Sequence, residues 1–171
     1  MRDISLFTFD HAAAALLASD PAAFAERYNI ALAPHEPTAV AIAADTARFL
    51  AASGARTPWG GYLALEGTQR RVVGACGFKG GPDAGGAVEI AYFTFPGEEG
   101  RGVATAMAAA LVQVAGAAGA VVAIVRAHTL PERSASCRVL EKLEFQHTGD
   151  VTDPEDGPVW RWERPAKGGG V

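Results

Sequence analysis

Hydrophobic residues alternate through Ile4, Leu6, Phe7 and Phe9, which predicts a short strand over residues 4–9. Asp10 and Asp20 read as N-caps, the second followed by Pro21 at a first helical position, and predict helices over 11–18 and 21–30. Val40, Ile42, Ala43, Ala47, Phe49 and Leu50 repeat with helical spacing and predict a third helix over 37–52, ended by Gly54. From Trp59 the period changes. The runs 62–65, 71–78 and 88–95 are strand-length and rich in β-branched and aromatic residues, with turn residues at 66–69 and 80–86, and predict an antiparallel meander.

A Gly-rich turn over 96–102 leads into a helix reaching Ala118, whose Val103, Met107, Leu111 and Val114 form one apolar stripe. Gly119 is expected to stop it, and 120–126 reads as a buried parallel strand completing a βαβ unit. Thr129 and Glu132 around Pro131 fit a capping box opening a helix to Leu143. Strands over 145–151 and 159–163 follow, then a loose tail from Lys167 to Val171.

Composition narrows what such a chain can do. Its 171 residues, 49% hydrophobic and 20% charged, suit one domain with one core and do not fit disorder. A net charge of -4 offers no phosphate-neutralising surface, which excludes nucleic acid as a first choice of partner. Cys76 and Cys137 form neither a disulfide framework nor a zinc signature, so no metal is expected. The Ala-rich run 11–18 lacks the basic leader of a signal peptide, and no apolar run reaches the ~18 residues of a membrane span. A cytoplasmic protein without a membrane partner is expected. Oligomeric state is not encoded legibly, and a homodimer is compatible with everything above.

The sharpest local signal is the strand 88–95, then Gly100-Arg101-Gly102-Val103-Ala104-Thr105, then a long helix. Glycines let consecutive backbone N–H groups approach a ligand, and a helix N-terminus attracts anions, so the segment has the form of a pyrophosphate cradle. It could equally be a loop that only turns the chain. A dinucleotide site is disfavoured, because Thr105 stands at the third glycine and the downstream strand leads to Arg126 and His128 rather than an acidic residue. A phosphate-loop NTPase is disfavoured by the lack of Gly-Lys-Ser/Thr.

Two segments resemble the GNAT superfamily of acetyl-CoA-dependent N-acetyltransferases. Glu99-Gly100-Arg101-Gly102-Val103-Ala104 is similar to the Gln/Arg-x-x-Gly-x-Gly/Ala motif of that family. The stretch from Pro131 to Phe145, containing Ser136, Leu140, Lys142 and Leu143, resembles the Asn-x-x-Ser-x-x-x-Leu-x-Lys-Leu-Gly-Phe stretch of the branch that acetylates ribosomal-protein N-termini. Glu99, Arg133 and Glu144 depart from those patterns, at the Gln/Arg, Asn and helix-ending Gly positions.

The resemblance implies an α/β (α+β) fold with a mixed, mostly antiparallel sheet of about 6–7 strands and helices on both faces. It implies one domain over 1–165, with 10–55 as a helical acceptor-side segment and 166–171 as tail. It also implies acetyl-CoA as co-substrate, held by Phe93, Thr94 and Phe95 of the strand, by Glu99, Gly100, Arg101, Gly102, Val103, Ala104 and Thr105, and by Arg133 and Ser136. The implied reaction is direct transfer of acetyl to a primary amine, on a peptide N-terminus or a small cationic molecule. Glu89 is the expected base, Ser136 the expected donor to the departing thiolate, and a backbone N–H near Phe93 the donor to the carbonyl oxygen. Tyr92 is a reserve donor and His128 an alternative base. Cys137 has no visible His partner that would make it a nucleophile. A non-catalytic acyl-CoA-binding or sensing module on the same fold is the other reading.

Overall fold

In the computed structural model, which describes residues 2–167, Asp10 accepts the Ala13 N–H at 2.8 Å and Asp20 the Ala23 N–H at 3.0 Å. Each carboxylate satisfies an orphan donor of a first turn. Strand β1 (Ile4–Phe9) therefore passes directly into α1 (His11–Ser19) and α2 (Pro21–Tyr28). Helix α3 (Glu36–Ser53) ends at Gly54, whose φ of 66° is the left-handed cap that glycine adopts without strain. The meander is β2 (Gly61–Glu66), β3 (Arg71–Phe78) and β4 (Ala87–Thr94), followed by α4 (Val103–Ala117), β5 (Ile124–Thr129), α5 (Ala135–Lys142), β6 (Gln146–Asp153) and β7 (Gly157–Pro165).

One sheet results, ordered β1-β2-β3-β4-β5-β7-β6, with only β4 and β5 parallel. Alternation along the strands divides the side chains between two cores. Val73, Val88 and Ile90 pack with Met107 and Leu111 of α4 and Leu140 of α5. Leu63, Leu65 and Val72 pack with Leu17, Phe24 and Ala43 from α1, α2 and α3. Helices thus cover both faces, as the family resemblance implies.

Two expectations fail near the βαβ crossover. The strand expected at 120–126 runs from Ile124 to Thr129, because Gly119, at φ 73°, opens a 3-10 turn over Gly119–Val121 before the chain can extend. Thr129 is not part of a capping box. It ends β5, buried, with its hydroxyl accepting the Trp162 indole N–H at 3.0 Å. Ser134 caps α5 instead, accepting the Cys137 N–H at 3.4 Å. Of the tail expected at 167–171, residues 168–171 lie outside the described residues.

Helix α5 closes in a Schellman turn: the Phe145 N–H reaches the Leu140 carbonyl at 3.0 Å and the two side chains meet in the core. The left-handed position of that turn falls on Glu144, at φ 62°, where a Cβ is strained. Glu144→Gly is therefore expected to stabilise the protein by about 0.5–1 kcal/mol, a Tm rise of roughly 1–4 °C in a thermal melt. An unchanged or lowered Tm would contradict the strain.

Candidate active site

Only three residue pairs join β4 to β5: Ala87 with Ile124, Val88 with Val125 and Glu89 with Arg126. Beyond Glu89 the two strands part. The Lys79 N–H bonds the Glu89 carbonyl and the Phe95 N–H bonds the Val73 carbonyl, so odd-numbered positions of β4 turn their backbone groups to β3. The N–H and C=O groups of Ile90, Tyr92 and Thr94 consequently point across the gap toward β5. Phe93 presents its side chain, not its amide, to the site, so the backbone donor expected near Phe93 belongs to its neighbours.

Side chains sort the same way. Val88 and Ile90 are committed to the core beneath α4 and α5, so Glu89, Ala91 and Phe93 emerge on the face of α1–α3. On β5, Val125 and Ala127 are core and His128 emerges beside Glu89. His128 Nδ1 lies 3.0 Å from Glu89 Oε1, and Lys79 Nζ reaches the same oxygen at 3.1 Å. A carboxylate can only accept, so Nδ1 is the donor to Glu89, and in the neutral ring the lone pair lies on Nε2. Nε2 is buried without a hydrogen-bond partner among the described residues. These groups line a cavity of about 560 Å³ in the gap, together with Tyr92, Ser136 and Asp156.

Tyr92 and Ser136 also line a second cavity, of about 380 Å³, between the β4–α4 loop and α5. Burial pushes the Tyr92 hydroxyl up to about 12, the neighbouring Ser136 hydroxyl opposing that rise. It stays a proton donor at neutral pH. Gly102 is the left-handed N-cap of α4, at φ 81°, and no side chain caps this helix. The first-turn N–H groups of Val103, Ala104 and Thr105 are thus left for a ligand in the cavity those residues line. Arg138 and Lys142, one turn apart on α5, line the opposite wall. Amide donors at a helix N-terminus facing two cations fit a diphosphate.

Several expected contacts are absent from this cradle. Phe95 is completely buried between α3 and the sheet, its N–H bonded to Val73 and its carbonyl to the Glu98 N–H, so it has nothing left for a cofactor. Arg133 is ion-paired with Glu141 at 2.7 Å and 65% exposed, and it does not line the cavity. Arg101 turns back onto Glu98 at 2.6 Å. Glu99 lines the cavity, but its carboxylate is folded onto the loop, accepting the Gly97 N–H at 2.6 Å. Cys137 is fully buried.

The loop is anchored from beneath. Glu98 is only 4% exposed, and its carboxylate meets Arg71, His35 Nε2 at 2.9 Å and Arg101. The Arg71 guanidinium beside it holds the carboxyl down at about 2 against the opposing effect of burial, and His35 adds to the lowering.

A family model for an acetyltransferase (GNAT) domain matches residues 4–146. The chain belongs to the GNAT acetyltransferases. It is an acetyl-CoA-dependent N-acetyltransferase. A comparison with curated proteins found no match. Among solved structures it is similar to a spermidine N-acetyltransferase SpeG chimera from Vibrio cholerae, at TM-score 0.66 and 11% identity over 95% of each chain. It is also similar to RimL, a ribosomal alpha-N-protein acetyltransferase in complex with coenzyme A, at TM-score 0.64 and 16% identity over 95% of this chain and 93% of that one. A third is yncA from Salmonella typhimurium with its cofactor acetyl-CoA, at TM-score 0.60 and 16% identity over 99% and 97%. At these identities the likeness concerns the fold.

This GNAT protein's cradle should respond to the α5 cations. Reversing both, Arg138→Glu with Lys142→Glu, is expected to weaken coenzyme A binding by roughly 10- to 100-fold in calorimetry, because two attractive contacts become repulsive. The loss should shrink at high salt. Unchanged affinity would place the diphosphate elsewhere.

Sequence reasoning missed Arg138 and Lys142, although their spacing, with Ser134 one turn before, was a visible i, i+4 row. It named Glu89 and His128 as alternative bases rather than as the hydrogen-bonded pair they form.

Proposed function

We propose that the protein transfers acetyl from acetyl-CoA directly to a primary amine, on a peptide N-terminus or a small cationic molecule. The Glu89–His128 pair, facing the gap where the two cavities meet at Tyr92 and Ser136, carries this reading. Acetyl-CoA supplies an acetyl group on a thioester, which calls for a neutral amine, a donor to the carbonyl oxygen and a donor to sulfur.

An ammonium must first lose a proton, and His128 Nε2 is positioned to accept it while Glu89 holds Nδ1–H and balances the resulting imidazolium. Glu89 on this reading is a positioning residue for His128, a change from the direct base expected from sequence. An imidazole suits the task at neutral pH better than a carboxylate does. Charge growing on the carbonyl oxygen is met by a backbone N–H of β4 on the gap side, that of Tyr92 or Thr94. The Tyr92–Ser136 hydroxyl pair donates to the sulfur as the C–S bond breaks and the C–N bond forms.

The diphosphate is held by the amides of Val103, Ala104 and Thr105 and by Arg138 and Lys142. Asp156 and Glu132 add negative charge for an incoming ammonium. The test is thiol release from acetyl-CoA by purified protein across an amine panel. Amine-dependent release supports the reading; coenzyme A binding without any transfer overturns it in favour of a sensing module.

A further inference from the structure

The site offers more room than an amine and an acetyl group need. A third cavity, of about 400 Å³, opens on the α3 face of the sheet and is walled by the side chains of Phe9, Ile42, Phe49, Ala75, Ala91 and Phe93. It is continuous with the site, since Lys79, Ala91 and Tyr92 also line the cavity that holds Glu89, and Tyr92 and Phe93 also line the cofactor cradle. Among the described residues only four large hydrophobic side chains are well exposed, and two of them, Phe49 at 37% and Phe93 at 49%, belong to this one cavity. Apolar surface gathered at a concave place marks a binding site.

Its charges are already spent. Asp45 at the rim is ion-paired with Arg48, and Lys79 with Glu89. The one carboxylate at the rim, Asp45, is exposed and shared with Arg48, so a second ammonium placed deeper among the apolar walls would be desolvated without a partner.

Building on the proposed acetyl transfer, we propose that this cavity holds the apolar arm of the acceptor: the substrate is a primary amine carried by an aromatic or branched aliphatic group, not a polyamine. The sheet geometry favours the acceptor over a long acyl chain as the occupant. Glu89, Ala91 and Phe93 emerge on the same face as the cavity, whereas the cofactor cradle is built from α4 and α5 on the other, so an acyl chain would have to fold back past its own acceptor.

The experiment compares kcat/KM for phenethylamine, isoamylamine, ethylamine and spermidine, with native protein and with Phe49→Glu and Ile42→Glu. Neither variant touches the groups assigned to chemistry. The expected result is a preference of roughly 10- to 100-fold for the two apolar amines over ethylamine, the scale that filling an apolar pocket provides, with spermidine no better than ethylamine. Both variants should remove that preference through KM and leave ethylamine turnover as it was. Equal use of all four amines, or a preference that survives both variants, overturns the proposal while leaving acetyl transfer intact. So does a parallel assay in which the variants instead abolish a preference for hexanoyl-CoA over acetyl-CoA. Failure to acetylate any of the four, with coenzyme A bound, overturns the transfer reading and this proposal together.

Discussion

Glu89→Gln is expected to lower kcat by about 10²- to 10⁴-fold while leaving the coenzyme A affinity unchanged. A carboxamide in place of the carboxylate can donate to Nδ1 and so favour the other tautomer, which puts the proton on Nε2 and removes the lone pair that takes the amine's proton. Its loss also leaves the imidazolium without a counter-charge. His128→Gln should cost a comparable factor, and the double variant little more than either single one, because the two side chains act as one unit. Steady-state kinetics of the three variants with a common amine check this. Multiplicative losses would mean that the residues act separately, and a Glu89→Gln enzyme with native kcat would remove the pair from the mechanism.

Replacing Glu98 should have the second large effect, on stability. The folded carboxyl is held down at about 2, well below the ordinary glutamate range, by the Arg71 guanidinium beside it. That difference is linked to about 3 kcal/mol of stability, fully present above pH ~4.5 and lost as pH falls toward ~2, because the unfolded chain takes up the proton first. Glu98→Gln leaves Arg71 and Arg101 without their shared partner and is expected to lower the Tm at pH 7 by roughly 6–12 °C. Thermal melts of both proteins across pH 2–7 provide the check: the gap between them should close as the pH falls below 4.5. A pH-independent gap would show that the residue acts through packing alone. Coenzyme A binding should weaken as well, since the turn between Phe95 and Glu98 sets the entry of the chain into the glycine loop.

Local signals explain what was legible from the sequence and what was not. The caps at Asp10 and Asp20 and the left-handed stop at Gly54 depend on neighbours within three or four residues, so pattern alone could place them. The glycine loop was equally plain. Strand β5 was misplaced because Ala120, Val121 and Val122 are as apolar as the true strand, while the Gly86 carbonyl that receives the Ala123 and Ile124 N–H groups is far away in sequence. The Glu89–His128 contact depends on the register between β4 and β5, so the two could be named as candidate bases but not paired. Phe95 failed for a related reason: the turn at 95–98 and burial beneath α3 are tertiary facts. The Glu98 network joins residues 27 and 63 positions apart, through Arg71 and His35, which no window along the chain can register.

The parting of β4 from β5 carries a further consequence. Unpaired strand edges usually lie at the rim of a sheet, where any passing strand can add to them and seed aggregation. Here the unpaired edge lies inside the sheet, roofed on one side by α4 and α5 and closed at one end by the three pairs at 87–89. Only something narrow and extended, with its own hydrogen-bonding groups along its length, can enter from the open end. The slit therefore protects by access: its helical roof and closed end keep the edge of another folded sheet from lying along it, with no protective charge or proline needed, while a single slender chain can still enter.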